Sequence, residues 1–100
     1  MFRALPSTPE ARVIGYQLLR SGTSVAANYR AACRARSRAD FVSKMGVVVE
    51  EADESVFWLE MLADTNVLPT SRLAALVREA NELLAIFAAS QLMAKQKGTH

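Results

Sequence analysis

The chain has a single cysteine and a single histidine, few glycines and prolines, and no long apolar run. Each scarcity excludes something. With Cys33 alone there is no internal disulfide, and the chain suits a reducing cytoplasm. The sole histidine is His100, the last residue. Carboxylate-bridged metal bundles need Glu-x-x-His pairs on facing helices, so metal binding is not expected. Hydroxyls without a histidine or other base make no nucleophilic centre, so neither catalysis nor a cofactor is expected. No hairpin signal, Gly-rich linker or repeat appears. No uncharged run approaches the roughly 20 residues needed to span a bilayer, and the N-terminus lacks the regions of a signal peptide. The expectation is a cytoplasmic protein with no membrane partner.

What the chain does have is helical periodicity. One hundred residues make one domain, 1–100, and half of them are hydrophobic (51%), a high share for so small a fold. A first helix over about 9–34 opens at Ser7 or Thr8, with Pro9 at its first position and Glu10 in its first turn. Ile14, Leu18, Ser21, Val25, Tyr29 and Ala32 follow at helical spacing. A second helix over about 38–63 opens at Ser37, with Asp40 three residues on in the manner of a capping box. Phe41, Met45, Val48, Ala52, Ser55, Leu59 and Leu62 then alternate steps of four and three. Asp64 to Pro69 is the turn. A third helix over about 71–95, capped by Thr70 or Ser71, carries Leu73, Leu76, Ala80, Leu83, Phe87, Ser90 and Ala94. Lys95 to His100 reads as a frayed tail. Short connections make sequential helices antiparallel, so the fold class is all-α, an up-down antiparallel helical bundle with three long helices.

Charge is segregated along the chain. Residues 1–44 hold eight basic and two acidic side chains, and residues 45–70 hold six acidic and none basic. A turn centred on Arg36 sets residues whose numbers sum to about 72 level on the first two helices. Arg20 then faces Glu51 or Glu54, and Arg12 faces Glu60. Such pairs stabilise little but disfavour other registers. The same register puts Ala26 beside Gly46. Gly15, Gly22 and Gly46 read as places where backbones approach closely or a large ring lies down.

The sequence also resembles a known family. Leu5-Pro6, Gln17-Leu-Leu-Arg20-Ser21, Ser24-Val-Ala-Ala-Asn28, Ser37-Arg-Ala-Asp-Phe41, Glu51-Ala-Asp-Glu54 and Trp58-Leu59-Glu60 occur in order, and together they resemble the bacterial four-helix-bundle family of 23S rRNA intervening-sequence proteins. The likeness is close over about residues 5–65 and extends to the last helix only by pattern. It implies a four-helix subunit that assembles into a homo-oligomer, a pentameric ring in the family. A related branch comprises the accessory proteins of diversity-generating retroelements, which associate with a reverse transcriptase and with RNA or DNA. Family members carry an amphipathic helix before the Leu-Pro element, whereas here only Met1-Phe-Arg-Ala precedes Leu5. The N-terminal helix of the four is therefore expected to be largely missing, leaving an apolar groove. Val42, Val49 and Val56 on the second helix and Val77, Leu84, Ile86 and Met93 on the third are its expected lining.

The leading functional candidate is the basic corner between the first two helices. Arg30, Arg34, Arg36 and Arg38, with Lys44 one turn further on, suit phosphate contact, because guanidinium groups bind phosphate in a planar fork. The competing reading is a solvated loop. The acidic run Glu50, Glu51, Asp53 and Glu54 is better explained by ion pairing than by metal. Gln17, Ser21, Ser24 and Asn28 form a polar stripe in which Asn28 is expected to bond across the helix pair and fix register. Cys33, Tyr29 and Phe41 are expected in or near the core, and Trp58 either there or at a subunit interface. The overall expectation is a non-enzymatic oligomer that offers a basic surface to nucleic acid or to a nucleic-acid enzyme. The alternative is a purely structural or protein-partner adaptor.

Overall fold

The computed structural model describes residues 8–65 and 69–98, and three helices make up nearly all of them: α1 Pro9–Cys33, α2 Arg38–Asp64 and α3 Thr70–Gly98. The Leu5-Pro6 element, Ser7, the centre of the 64–69 turn and His100 lie outside the described residues.

Side chains satisfy the amides that each helix start leaves without an internal partner. Thr8 caps α1, its hydroxyl accepting from the Ala11 amide at 3.2 Å, with Pro9 preset for the first turn. Ser37 caps α2 by accepting from the Asp40 amide at 3.0 Å. The reciprocal half of a capping box is shifted: the Asp40 carboxylate accepts from the Arg36 amide at 3.4 Å, one residue before the cap. At the far end of α2 the Thr65 hydroxyl donates to the Leu62 carbonyl at 2.7 Å. The segment from Lys95 continues α3 as far as Gly98 instead of fraying. Three strong helix formers, Lys95, Gln96 and Lys97, extend it.

α2 is the middle of the three. α1 packs along one side of it and α3 along the other, in a body of 51 × 20 × 14 Å. α1 and α3 meet through the Tyr29 and Phe87 rings, whose centroids are 5.4 Å apart. The apolar interior has two parts. Ile14, Leu18, Leu59, Leu62 and Leu73 form the larger, with Trp58, Met61, Leu76 and Val77 packed against it. Ala32, Met45 and Val48 form the smaller, flanked by Val25, Phe41 and Phe87. Residues expected to line an open groove are mostly spent inside the fold. Val56 is buried, and Val42, Val49, Val77 and Leu84 are half-buried; only Ile86 and Met93 are exposed.

The register between α1 and α2 is set by polar contacts. Arg20 reaches both Glu54 and Glu51, the latter at 3.8 Å. The Ser55 hydroxyl donates to the Ser21 hydroxyl at 2.9 Å inside the seam. Asn28 does not cross the helix pair. Its amide donates back within α1, to the Ser24 carbonyl at 2.9 Å and the Ser24 hydroxyl at 3.2 Å. A side chain one turn along its own helix is nearer than any on the next. Arg12 and Glu60 are both exposed, and no ion pair joins them among the described residues. Gly46 faces α3, not Ala26: a methyl added there would lie 3.0 Å from the Gln91 side-chain amide. That amide donates to the Val42 carbonyl at 3.2 Å. Gly22 is exposed, with nothing within 4 Å of an added methyl, so no close approach explains it.

Candidate functional site

The up-down-up path brings the C-terminus of α1, the N-terminus of α2 and the C-terminus of α3 to one end of the rod. Arg38 ties two of them together: its Nη1 donates to the Lys97 carbonyl at 3.0 Å, satisfying one of the free carbonyls at the end of α3. Sequence reasoning gathered the basic corner from the first two helices alone. It missed that α3 delivers Lys95 and Lys97 to the same place. The available signal was the antiparallel chain path itself, together with the basic last turn of α3.

The five candidate cations divide by what they already hold. Arg30, Arg34 and Arg36 are exposed, and among the described residues their side chains make no hydrogen bond or ion pair. Arg38 is exposed and uses one donor on α3. Lys44 is half-buried and paired to Asp40 at 2.6 Å on its own helix. The hydrogen bond from Lys44 holds the Asp40 carboxyl below its ordinary pKa, aided by the Arg36 amide and guanidinium. Asp40 is the one carboxylate within residues 28–44 and 92–98. The end therefore keeps a large surplus of positive charge after its internal pairing.

Two side chains expected to be sheltered lie at this end in the open. Cys33 is exposed. Tyr29 is 44% exposed, with one ring face against Phe87. The neighbouring Cys33 thiol shifts its hydroxyl to a higher pKa. Three long helices in a layer leave the rim of α1 uncovered, which is why periodicity alone overstated their burial. Phe41 is half-buried, against the smaller core cluster.

A second polar group lies mid-rod. Arg20 hydrogen-bonds Gln17 at 3.1 Å as well as reaching Glu51 and Glu54. The Trp58 indole N–H donates to Glu54 at 3.2 Å. That bond is the first cause of the lowered Glu54 pKa, with Arg20 behind it. Trp58 is half-buried against the larger core, while its neighbour Phe57 is exposed. Among the described residues, no three His, Cys, Asp or Glu side chains are placed to hold a metal ion. No helix among them is long and apolar enough to cross a membrane.

Comparison with known proteins turns this geometry into a relationship. Residues 1–89 match the family described as 23S rRNA-intervening sequence protein. The chain belongs to that family. A crystal structure of a protein of unknown function from the S23 ribosomal protein family of Bacteroides thetaiotaomicron is similar to it, with a TM-score of 0.75 and 35% identity, covering 79% of this chain and 73% of that one. No curated protein is significantly similar. Membership in the 23S rRNA-intervening sequence protein family fixes the helical fold and carries no assigned reaction. The mid-rod cluster around Arg20 is accounted for by register. Arg30, Arg34 and Arg36 at the basic end have no such structural account among the described residues, and that end is the candidate site of this family member.

Proposed function

We propose that this protein is a non-enzymatic helical factor that binds the sugar-phosphate backbone of a nucleic acid through its basic end, and that it works as a homo-oligomer. One observation carries the reading. Three helix termini converge Arg30, Arg34, Arg36, Arg38, Lys44, Lys95 and Lys97 on one end, opposed among the described residues by Asp40 alone. Charge gathered this way attracts polyanions and gains affinity by releasing their counterions. Oligomerisation is supported by Val13, Tyr16 and Phe57, large apolar side chains more than half exposed away from the basic end. Several basic ends in one assembly would turn a weak contact into a useful one through effective concentration.

A reverse transcriptase or another nucleic-acid enzyme is a partner compatible with this reading, as for the retroelement branch of the resemblance. The second reading, an adaptor that binds protein alone, draws on the same exposed apolar residues. Salt separates them. Fluorescence anisotropy with a labelled RNA oligonucleotide should show affinity falling steeply between about 50 and 200 mM salt. The Arg30→Ala, Arg34→Ala, Arg36→Ala triple variant should bind more weakly and with a shallower salt slope, by roughly 0.7 per lost phosphate contact. Among the described residues these side chains make no hydrogen bond or ion pair, and removing crowded positive charge relieves repulsion, so the melting temperature should not fall below the parent's. Absence of binding at low salt, or a triple variant that binds like the parent, overturns the nucleic-acid reading. Light scattering across a concentration series tests the oligomer.

A further inference from the structure

At the basic end, a groove of about 440 Å³ runs between the first turn of α2 and the last turns of α3, lined by Arg38, Phe41, Ser90, Met93, Ala94 and Lys97. The groove is shallow and open to solvent along its length. Its composition is divided. Phe41, Met93 and Ala94 give an apolar floor and wall, and Phe41 is held by the Ala32–Met45–Val48 cluster beneath it. Arg38 and Lys97 bring positive charge to the rim. The guanidinium of Arg38 is already oriented by its bond to the Lys97 carbonyl, and that bond occupies one of its five N–H donors. An orienting bond of this kind lowers the entropy lost when a second partner is bound.

We propose that this groove takes one unpaired nucleotide, its base lying on Phe41 and Met93 and its phosphate between Arg38 and Lys97. The proposal rests on the basic end being a nucleic-acid surface, and it names what that surface selects. Phosphate alone would leave the apolar floor unused. A base inside a duplex presents its edges and keeps its faces stacked, so it cannot cover an aromatic floor. An apolar helix from a second copy would bury Arg38 and Lys97 without a counter-charge, which is costly. A base has a flat apolar face and arrives with a phosphate attached. Among the described lining residues the donors of Arg38 and Lys97 are assigned to the phosphate, which leaves the Ser90 hydroxyl as the polar side chain for the base, so selection is for unpaired strand and not for a base sequence.

The test uses the full chain with labelled methionine methyls and three probes: adenosine monophosphate, an unpaired RNA decamer, and a duplex of the same length. Adenosine monophosphate should shift the Met93 methyl saturably. The decamer should bind roughly fivefold to a hundredfold tighter than the duplex, the range expected for one stacked base. Phe41→Leu keeps an apolar core contact but removes the aromatic face, and should erase most of that preference while leaving duplex affinity in place. Lys97→Gln, at an exposed site, should weaken the nucleotide and the decamer without altering the melting curve. Equal affinity for decamer and duplex, unchanged in Phe41→Leu, overturns the groove while the basic end stands. Failure of both strands to bind at low salt while the nucleotide still shifts Met93 keeps the groove and overturns the broader reading. A Met93 shift with an aspartate- and phenylalanine-rich peptide, and none with the nucleotide, overturns the groove in favour of a protein partner.

Discussion

The two ends of the rod are built differently. At one end Ile14, Leu18, Leu59, Leu62 and Leu73 interlock, and Trp58, Met61, Leu76 and Val77 close over them. At the other the buried set is only Ala32, Met45 and Val48, flanked by Val25, Phe41 and Phe87, and the exposed surface beyond it carries arginines and lysines. One end spends its residues on burial, the other on charge. Like charges crowded at a chain end repel and oppose compaction. The basic end offsets this with local devices rather than with core: the Ser37 cap, the Asp40–Lys44 pair and the Arg38 contact to α3. Stability in this fold is thus expected to be concentrated away from the candidate site, an arrangement that leaves the site's surface chemically available.

The largest effect should come from truncating the larger core. Leu62 is fully buried, and Leu62→Ala should cost about 3–5 kcal/mol by urea unfolding. Met45, equally buried at the basic end, should cost about 2–3 kcal/mol on change to Ala, because a thinner layer relaxes more easily around the loss. The reverse order would break the comparison. Caps come next. Ser37→Ala and Thr8→Ala each remove one capping bond, worth about 1 kcal/mol. If the basic end depends on local devices, Ser37→Ala should be the more costly of the two. It should also raise amide exchange selectively in the first turn of α2.

How much of this was legible in the sequence follows from which forces are local. Three helices and the starts of the first two could be read, because Thr8-Pro9 and Ser37 announce those starts and the apolar steps of three and four run unbroken to Leu62. The Arg20 contacts with Glu51 and Glu54 follow from one short turn and an antiparallel neighbour. Partners among three helices were harder. Gly46 and the Val42 carbonyl lie against Gln91 of α3, and nothing in a linear pattern tells which neighbour a face will meet. Asn28 satisfied itself within its helix, on the backbone carbonyl and hydroxyl of Ser24 one turn earlier. The arginines of the candidate site were visible as a cluster. The lysines of α3 were not, because their proximity depends on α3 reaching Gly98.

Two glycines sharpen the contrast between open and filled surface. Gly22→Ala adds a methyl into open space on a helix, and should stabilise by about 0.5–1 kcal/mol through the helix preference of alanine. Gly46→Ala gains the same preference but presses on the Gln91 amide, the far end of a flexible side chain bonded to the Val42 carbonyl. Loosening that bond should offset most of the gain, leaving a change near zero. Thermal melts of the two variants side by side check this. Equal stabilisation would mean that α3 does not approach α2 at Gly46.

The smallest effect is electrostatic and separates the mid-rod cluster from the basic end by its cause. Asp40 is held low first by a hydrogen bond from charged Lys44, and Glu54 first by one from the neutral indole of Trp58. Both folded-state values lie below the unfolded ones. The stability they contribute is therefore complete above the unfolded carboxyl pKa of about 4 and is lost as pH falls through the lower folded values. Carboxyl titration by NMR should find Asp40 rising toward its ordinary value in Lys44→Gln and Glu54 rising in Trp58→Phe. Added salt should raise Asp40 more than Glu54, because screening weakens a charged donor and leaves an indole N–H almost untouched. A Glu54 that follows salt as closely as Asp40 would assign its shift to Arg20 instead. The ion pair, and not the tryptophan, would then be what orients that carboxylate.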